Sequence, residues 1–159
     1  LPICSDEYGG ADLSFPYVLG RDFSGVVRTV GEGGKDFTVG DAVFGVCDVG
    51  QEGAYAEQIS IRASIIAHKP DNLSHVAASA LALTGLTATV SLEDTLQLQP
   101  SETILIQGGA GGVAGFAIQL AKHLGARVIT TASAANHDYL RELGADKRSE
   151  EHTSEIQSQ

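Results

Sequence analysis

Thr103-Ile104-Leu105-Ile106-Gln107, running into Gly108-Gly109-Ala110-Gly111-Gly112-Val113-Ala114-Gly115, decides how this chain folds. The first run is short, apolar and rich in β-branched residues, and it predicts a buried strand. Beyond the glycines, Val113, Phe116, Ala117, Leu120, Ala121 and Leu124 recur at helical spacing on one face. Gly125 suits the position just past a helix end, where φ is positive. Arg127-Val128-Ile129-Thr130-Thr131 predicts a second strand. Strand, glycine turn, helix and strand in that order make a βαβ unit.

Gly109, Gly111 and Ala114 fit the G-x-G-x-x-G/A spacing of a dinucleotide site. In this reading Gly109 permits the tight turn and Gly111 lets a pyrophosphate approach the backbone. Ala114 is small enough for close helix–strand packing. The phosphates then sit at the helix N-terminus, where free N–H groups and the dipole favour negative charge. The cofactor-binding set in the turn is accordingly Gly109, Gly111, Gly112, Val113 and Ala114. The plainer reading is a glycine-rich turn in any α/β protein; the flanking strands and helix favour the cofactor.

The end of the second strand bears on which cofactor. A site that prefers NAD places Asp or Glu there for the ribose 2′-hydroxyl. Here the chain reads Thr130-Thr131-Ala132-Ser133-Ala134-Ala135-Asn136, with no carboxylate before Asp138. A 2′-phosphate would meet the hydroxyl of Ser133 and the amide of Asn136, with Arg141 in the following helix, which favours NADP(H). Ser133 reads equally well as a simple helix N-cap.

The chain has 159 residues, 43% of them apolar, enough for one modest domain or pieces of two. A formal charge of −10 argues against nucleic acid as a partner. No apolar run is read as a membrane span, and no secretory signal is visible. Cys4 and Cys47 form no C-x-x-C pair, and two free thiols in a reducing cytoplasm are expected. His75 and His123 read as solvated, and His137 as an exposed helix position.

Residues 1–70 look different. The stretch Arg21-Asp22-Phe23-Ser24-Gly25-Val26-Val27-Arg28-Thr29-Val30 predicts a strand, and Phe37 to Val46 a turn into another. Gly53 to Ile61 alternates like a strand, and Ile65 to His68 like a short one. Several short strands with glycine turns suggest a small, mostly antiparallel barrel.

These motifs carry a family resemblance. Pro16-Tyr17-Val18-Leu19-Gly20-Arg21-Asp22-Phe23-Ser24-Gly25-Val26-Val27, Val39-Gly40-Asp41-Ala42-Val43-Phe44-Gly45, Gly53-Ala54-Tyr55-Ala56-Glu57 and Leu83-Thr84-Gly85-Leu86-Thr87-Ala88 precede the glycine turn. In order and spacing the chain resembles the medium-chain dehydrogenase/reductase superfamily, in its zinc-free quinone oxidoreductase branch, over roughly residues 8 to 147. The resemblance implies α/β plus mostly β structure: a partial GroES-like barrel domain over 1–70, a helical crossover segment over 71–100, and the first part of a Rossmann NADP-binding domain over 101–147. It implies hydride transfer from NADPH to a quinone or activated enone, and a homodimer when full length. The given chain is then an inactive fragment. A relative that binds NADPH without turnover, crystallin-like or regulatory, is the alternative.

The resemblance also marks residues. Superfamily alcohol dehydrogenases carry Gly-His-Glu where this chain has Gly20-Arg21-Asp22, so Arg21 replaces the zinc-binding His and no metal is expected. Arg21 and Asp22 read as a structural ion pair. Tyr8 stands near where related reductases carry an active-site tyrosine, although an ordinary loop tyrosine is the simpler reading. Thr87 matches a hydroxyl placed toward the cofactor; its other reading is a helix-interior Thr bonded to the backbone. Ser74 is the expected N-cap of a helical stretch from Val76 to Leu98, in two pieces broken near Thr84-Gly85. Asn136 to Leu143 predicts a short helix. From Lys147 onward no strand period continues, and residues 148–159 read as a non-native tail, similar to a translated sequencing adapter. A genuine disordered acidic tail is the alternative.

Overall fold

The computed structural model describes residues 16–32 and 36–149. The chain divides into two compact units, Leu1–Ser79 and Ala80–Gln159. The division falls inside a helix, within the segment expected to cross between domains.

The first unit holds an antiparallel sheet of β1 (Asp22–Val26), β2 (Ala42–Val46) and β3 (Ile66–His68), in that order. Phe23 pairs with Gly45, and Phe44 with Ala67. β1 is shorter than the expected strand: past Val26, Val27 still exchanges bonds with Gly40 and Asp41, and the strand then gives way to the turn. The alternating stretch from Gly53 to Ile61 is not a strand. The N–H groups of Gly53 and Ala54 both go to the Gly20 carbonyl, and that of Tyr55 to Leu19. One acceptor shared by successive donors bends the chain and ends any ladder.

Helix α1 (His75–Thr89) starts where Ser74 caps it, the Ser74 hydroxyl accepting the N–H of Ala77 at 3.1 Å. The helix does not break at Thr84-Gly85. Thr84 bonds back to the carbonyls of Ala80 and Leu81, and Gly85 is buried against Leu81 and Phe116. The irregularity comes later, as a π-helical segment Val90–Thr95, where Leu96 N–H reaches the Ser91 carbonyl. His75–Thr95 is thus one 21-residue helix, long and apolar enough by length and composition to cross a membrane, contrary to the expectation that no segment reaches that size.

The second unit holds β4 (Thr103–Ile106), α2 (Gly112–His123), β5 (Arg127–Thr131), α3 (His137–Glu142) and β6 (Lys147–Ser149). Its three strands are parallel in the order β4-β5-β6, with a helix in each crossover, the layout of a partial Rossmann fold. α2 ends as expected, with Gly125 at φ +83°.

The buried side of α2 keeps Ala117 and Ala121 of the expected face and adds Gly115 and Ile118. Ile118, absent from the expected face, is fully buried with Val128 and Leu140, while Val113 is 39% exposed. Phe116, Leu120 and Leu124 flank this core. The stretch from Lys147 also departs from expectation, since β6 continues the sheet into residues 148 and 149. Asp146 N–H bonds to the Val128 carbonyl at 2.9 Å and Ala132 N–H to that of Ser149 at 3.1 Å. A short edge strand is held by backbone pairing and needs no apolar alternation.

Candidate functional site

The glycine turn joins β4 to α2. The β4–β5 ladder ends with Ile106 opposite Thr130. The chain then reverses through Gly108, whose φ of +63° lies in the left-handed region. Gly108, not Gly109, therefore makes the tight turn that the motif spacing assigned to Gly109. Gly109 is required for another reason. A Cβ there would overlap the Thr130 hydroxyl and stand 2.9 Å from Leu140 Cδ2. Gly115 is a further close approach, toward α3: a Cβ there would lie 3.3 Å from the Tyr139 hydroxyl and 3.4 Å from Leu143. Ala114 is only partly buried.

Gly111 has an extended backbone and precedes the first turn of α2 with no side-chain cap. That first turn holds no acid. Residues 110–113 are exposed. Gly111 N–H bonds to Gly108 O at 2.9 Å and Gly115 N–H to Gly111 O at 2.7 Å. Among the described residues, the N–H groups of Gly112, Val113 and Ala114 have no hydrogen-bond partner. Three open donors stand at the positive end of a twelve-residue helix, an arrangement suited to an anion.

The hydroxyls at the end of β5 serve the fold. Thr130 is fully buried and donates to the Ile106 carbonyl at 2.6 Å. Thr131 accepts the Gly108 N–H at 3.1 Å. Ser133 and Asn136 lie beyond the strand in a single 3₁₀ turn, Ala134–Asn136. Ser133 makes no side-chain cap; its hydroxyl accepts from the Asn136 amide at 3.0 Å. This turn carries no carboxylate. Arg141 is paired with Asp138 at 2.6 Å, with the arginine side chain 62% exposed. His137 is half-buried, its ring within 3.3 Å of the Ala132 carbonyl, rather than a bare surface residue.

Thr87 is exposed and bonds back to the Leu83 carbonyl at 2.7 Å, the backbone role weighed for it from sequence. Thr84 lies beside the turn: a Cβ on Gly112 would sit 3.4 Å from its methyl group. Sequence reading passed over Thr84. The two threonines are three residues apart on one helix face, so periodicity does not choose between them.

In the first unit, Arg21 Nε donates to the Cys47 carbonyl at 3.0 Å. Cys47 is buried, and burial pushes its thiol up, against the pull of the Arg21 charge. Tyr17 donates to Glu52 at 2.7 Å. This bond holds the Glu52 carboxyl below its ordinary range and lifts the Tyr17 phenol above its own. His75 is not simply solvated; its Nδ1 shares a 2.8 Å bond with the Ser24 hydroxyl. Tyr8 lies outside the described residues.

Residues 3–71 match the alcohol dehydrogenase GroES-like domain. The chain is 35% identical to the mitochondrial NAD(P)H oxidoreductase RTN4IP1 of Danio rerio over 149 residues, 91% of this chain and 38% of that protein. It superposes on the quinone oxidoreductase of Coxiella burnetii with a TM-score of 0.77 at 37% identity, covering 87% of this chain and 44% of that one. A mycobacterial protein, Rv1454c, solved in complex with NADPH, gives 0.78 at 35% identity, covering 94% and 44%. The chain spans less than half the length of each of these relatives. The chain thus carries an alcohol dehydrogenase GroES-like domain, and its structural neighbours include quinone oxidoreductases of the medium-chain dehydrogenase/reductase superfamily.

Proposed function

We propose that the complete protein is an oxidoreductase that reduces a quinone or an activated enone with NADPH and without zinc. The observation that carries this reading is the open mouth of α2. The N–H groups of Gly112, Val113 and Ala114 lack partners among the described residues, and no acid stands in the helix's first turn. This donor set fits the pyrophosphate of a dinucleotide. NADPH, when bound, supplies the hydride. The chain's own part is to bind and orient: the turn holds the pyrophosphate, while Ser133 and Asn136 offer neutral donors to a 2′-phosphate. With Thr130 and Thr131 engaged in the fold, recognition of that phosphate falls to Ser133 and Asn136. Arg141 bonds Asp138 through one guanidinium nitrogen and has further N–H donors to offer.

The zinc-free part rests on Arg21. It stands in the family's zinc-ligand position, and a guanidinium that stays protonated is a poor ligand. A protein with no Lewis acid suits acceptors that are already electron-poor, whose reduced oxygen takes its proton from a side chain or water. Catalysis then lies mainly in holding donor and acceptor together. The same reading takes the complete protein as a cytoplasmic homodimer, whereas the name of the Danio rerio relative places that protein in mitochondria. It takes residues 1–159 alone as inactive.

The test follows NADPH absorbance with the complete protein and a panel of quinones, enones and simple ketones. Consumption with quinones or enones is expected. Alcohol oxidation with quinones untouched would overturn the proposal. Tight NADPH binding without turnover on any acceptor would move the protein to a non-catalytic role.

A further inference from the structure

Resting on the dinucleotide reading, we propose that Thr131 is a positioning residue that aligns the pyrophosphate-binding amides before any cofactor arrives. β4 leaves the sheet after Ile106, whose partner is Thr130. Thr131 therefore lies one residue past the last β4 pairing, and on its other side it still pairs with Ser149 of β6. From that anchored position it takes both N–H groups at the start of the turn. Gly108 N–H reaches its hydroxyl at 3.1 Å, and Gly109 N–H reaches its carbonyl at 2.8 Å.

The consequence is positional. Gly108 turns through a φ of +63°, where a glycine has wide freedom unless something holds it. With Gly108 and Gly109 tied to Thr131, and Gly111 N–H tied back to Gly108 O at 2.9 Å, the path into α2 is set. The N–H groups of Gly112, Val113 and Ala114 are thereby aimed in common without help from a ligand. A turn ordered in advance loses less entropy when it binds. A β-branched side chain suits the task, because its χ1 is stiff and the hydroxyl stays aimed. The arrangement also accounts for two successive hydroxyls at the end of β5. Thr130 holds the end of β4, and Thr131 holds the turn beyond it.

The experiment compares native, Thr131→Val and Thr131→Ser forms of the complete protein by calorimetry with NADPH, NADH and 2′-AMP. Valine keeps the shape and loses the hydroxyl; serine keeps the hydroxyl. The expected result for Thr131→Val is weakening of about tenfold toward both dinucleotides, the order expected for one lost hydrogen bond. Affinity for 2′-AMP, which has no pyrophosphate, should hold steady, and Thr131→Ser should stay within about twofold of native. Native-like dinucleotide binding by Thr131→Val would overturn the proposal, as would serine binding as weakly as valine. Amide exchange in the native protein gives a second measurement that does not depend on any variant folding. Without cofactor, the Gly108 and Gly109 amides should exchange slowly, and fast exchange there would also overturn it. If the native protein binds neither dinucleotide, the dinucleotide reading itself fails, and this inference with it.

Discussion

The hydroxyl of Thr130 occupies the space that a side chain on Gly109 would need. It is held there by its 2.6 Å bond to the Ile106 carbonyl, and Leu140 and Ile118 close the other sides. The glycine turn is therefore packed on one side and open on the other.

That asymmetry separates the roles of two glycines. Gly109→Ala should destabilise the second unit by about 1–3 kcal/mol, because the core around it is full and must shift. Gly111→Ala, whose methyl would meet only the Gly108 carbonyl at 3.3 Å, should cost less than Gly109→Ala, under about 1 kcal/mol. It should nevertheless weaken NADPH, by placing a methyl group where the pyrophosphate approaches. Denaturant unfolding and cofactor titration of both variants check this. Equal stability losses would mean that the packing around Gly109 is not what requires glycine.

Cofactor preference should turn on Ser133. Its hydroxyl and the Asn136 amide form a neutral pair at the surface beyond β5. Ser133→Asp should lower NADPH affinity by repelling the 2′-phosphate and should raise NADH affinity by offering the ribose an acceptor. Fluorescence titration with both cofactors is the measurement. An unchanged ratio would show that the 2′-phosphate is read elsewhere.

Acid should loosen the second unit through Asp146. Its carboxylate takes Lys122 Nζ at 2.9 Å and Val128 N–H at 2.7 Å. The Lys122 bond first, and then the Val128 bond, hold it below its ordinary value of 3.8. A carboxyl depressed in the folded state stabilises fully above its unfolded value, and the contribution fades as pH falls from there through the folded value. The pair is about a third exposed, so the contribution at neutral pH is under about 1 kcal/mol. Asp146→Asn should lower stability at pH 7 and flatten its decline below about pH 4. A variant whose stability falls with acid as steeply as the native protein would point to other carboxylates.

Metal analysis tests the zinc-free reading. Complete protein purified without chelator should carry no stoichiometric zinc, and chelator treatment should leave quinone reduction unchanged. One zinc per chain, lost together with activity, would overturn it. Arg21→His should not by itself create a zinc site. The Arg21 side chain lies against the Cys47 carbonyl, and the neighbouring Cys47 thiol is raised by burial, whereas zinc takes the thiolate.

The sequence by itself determined the βαβ unit, because a β-branched run, a glycine cluster and a helical period are local signals. The Ser74 cap and the Gly125 helix end were legible for the same reason. The family's GroES-like part was carried by motifs rather than by strand periods. Tertiary structure alone decided which glycine does what. The turn at Gly108 and the close approaches at Gly109 and Gly115 depend on Thr130, Leu140 and Tyr139, which lie far along the chain. The same holds for Thr131, whose bonds reach back across 23 residues to Gly108. β6 was hidden for a related reason: an edge strand draws its stability from the backbone of its neighbour, and Lys147-Arg148-Ser149 has no apolar period to announce it. The alternation from Gly53 to Ile61 misled in the opposite direction, since alternation records which faces are wet or dry, while a strand also requires a partner edge to receive its hydrogen bonds.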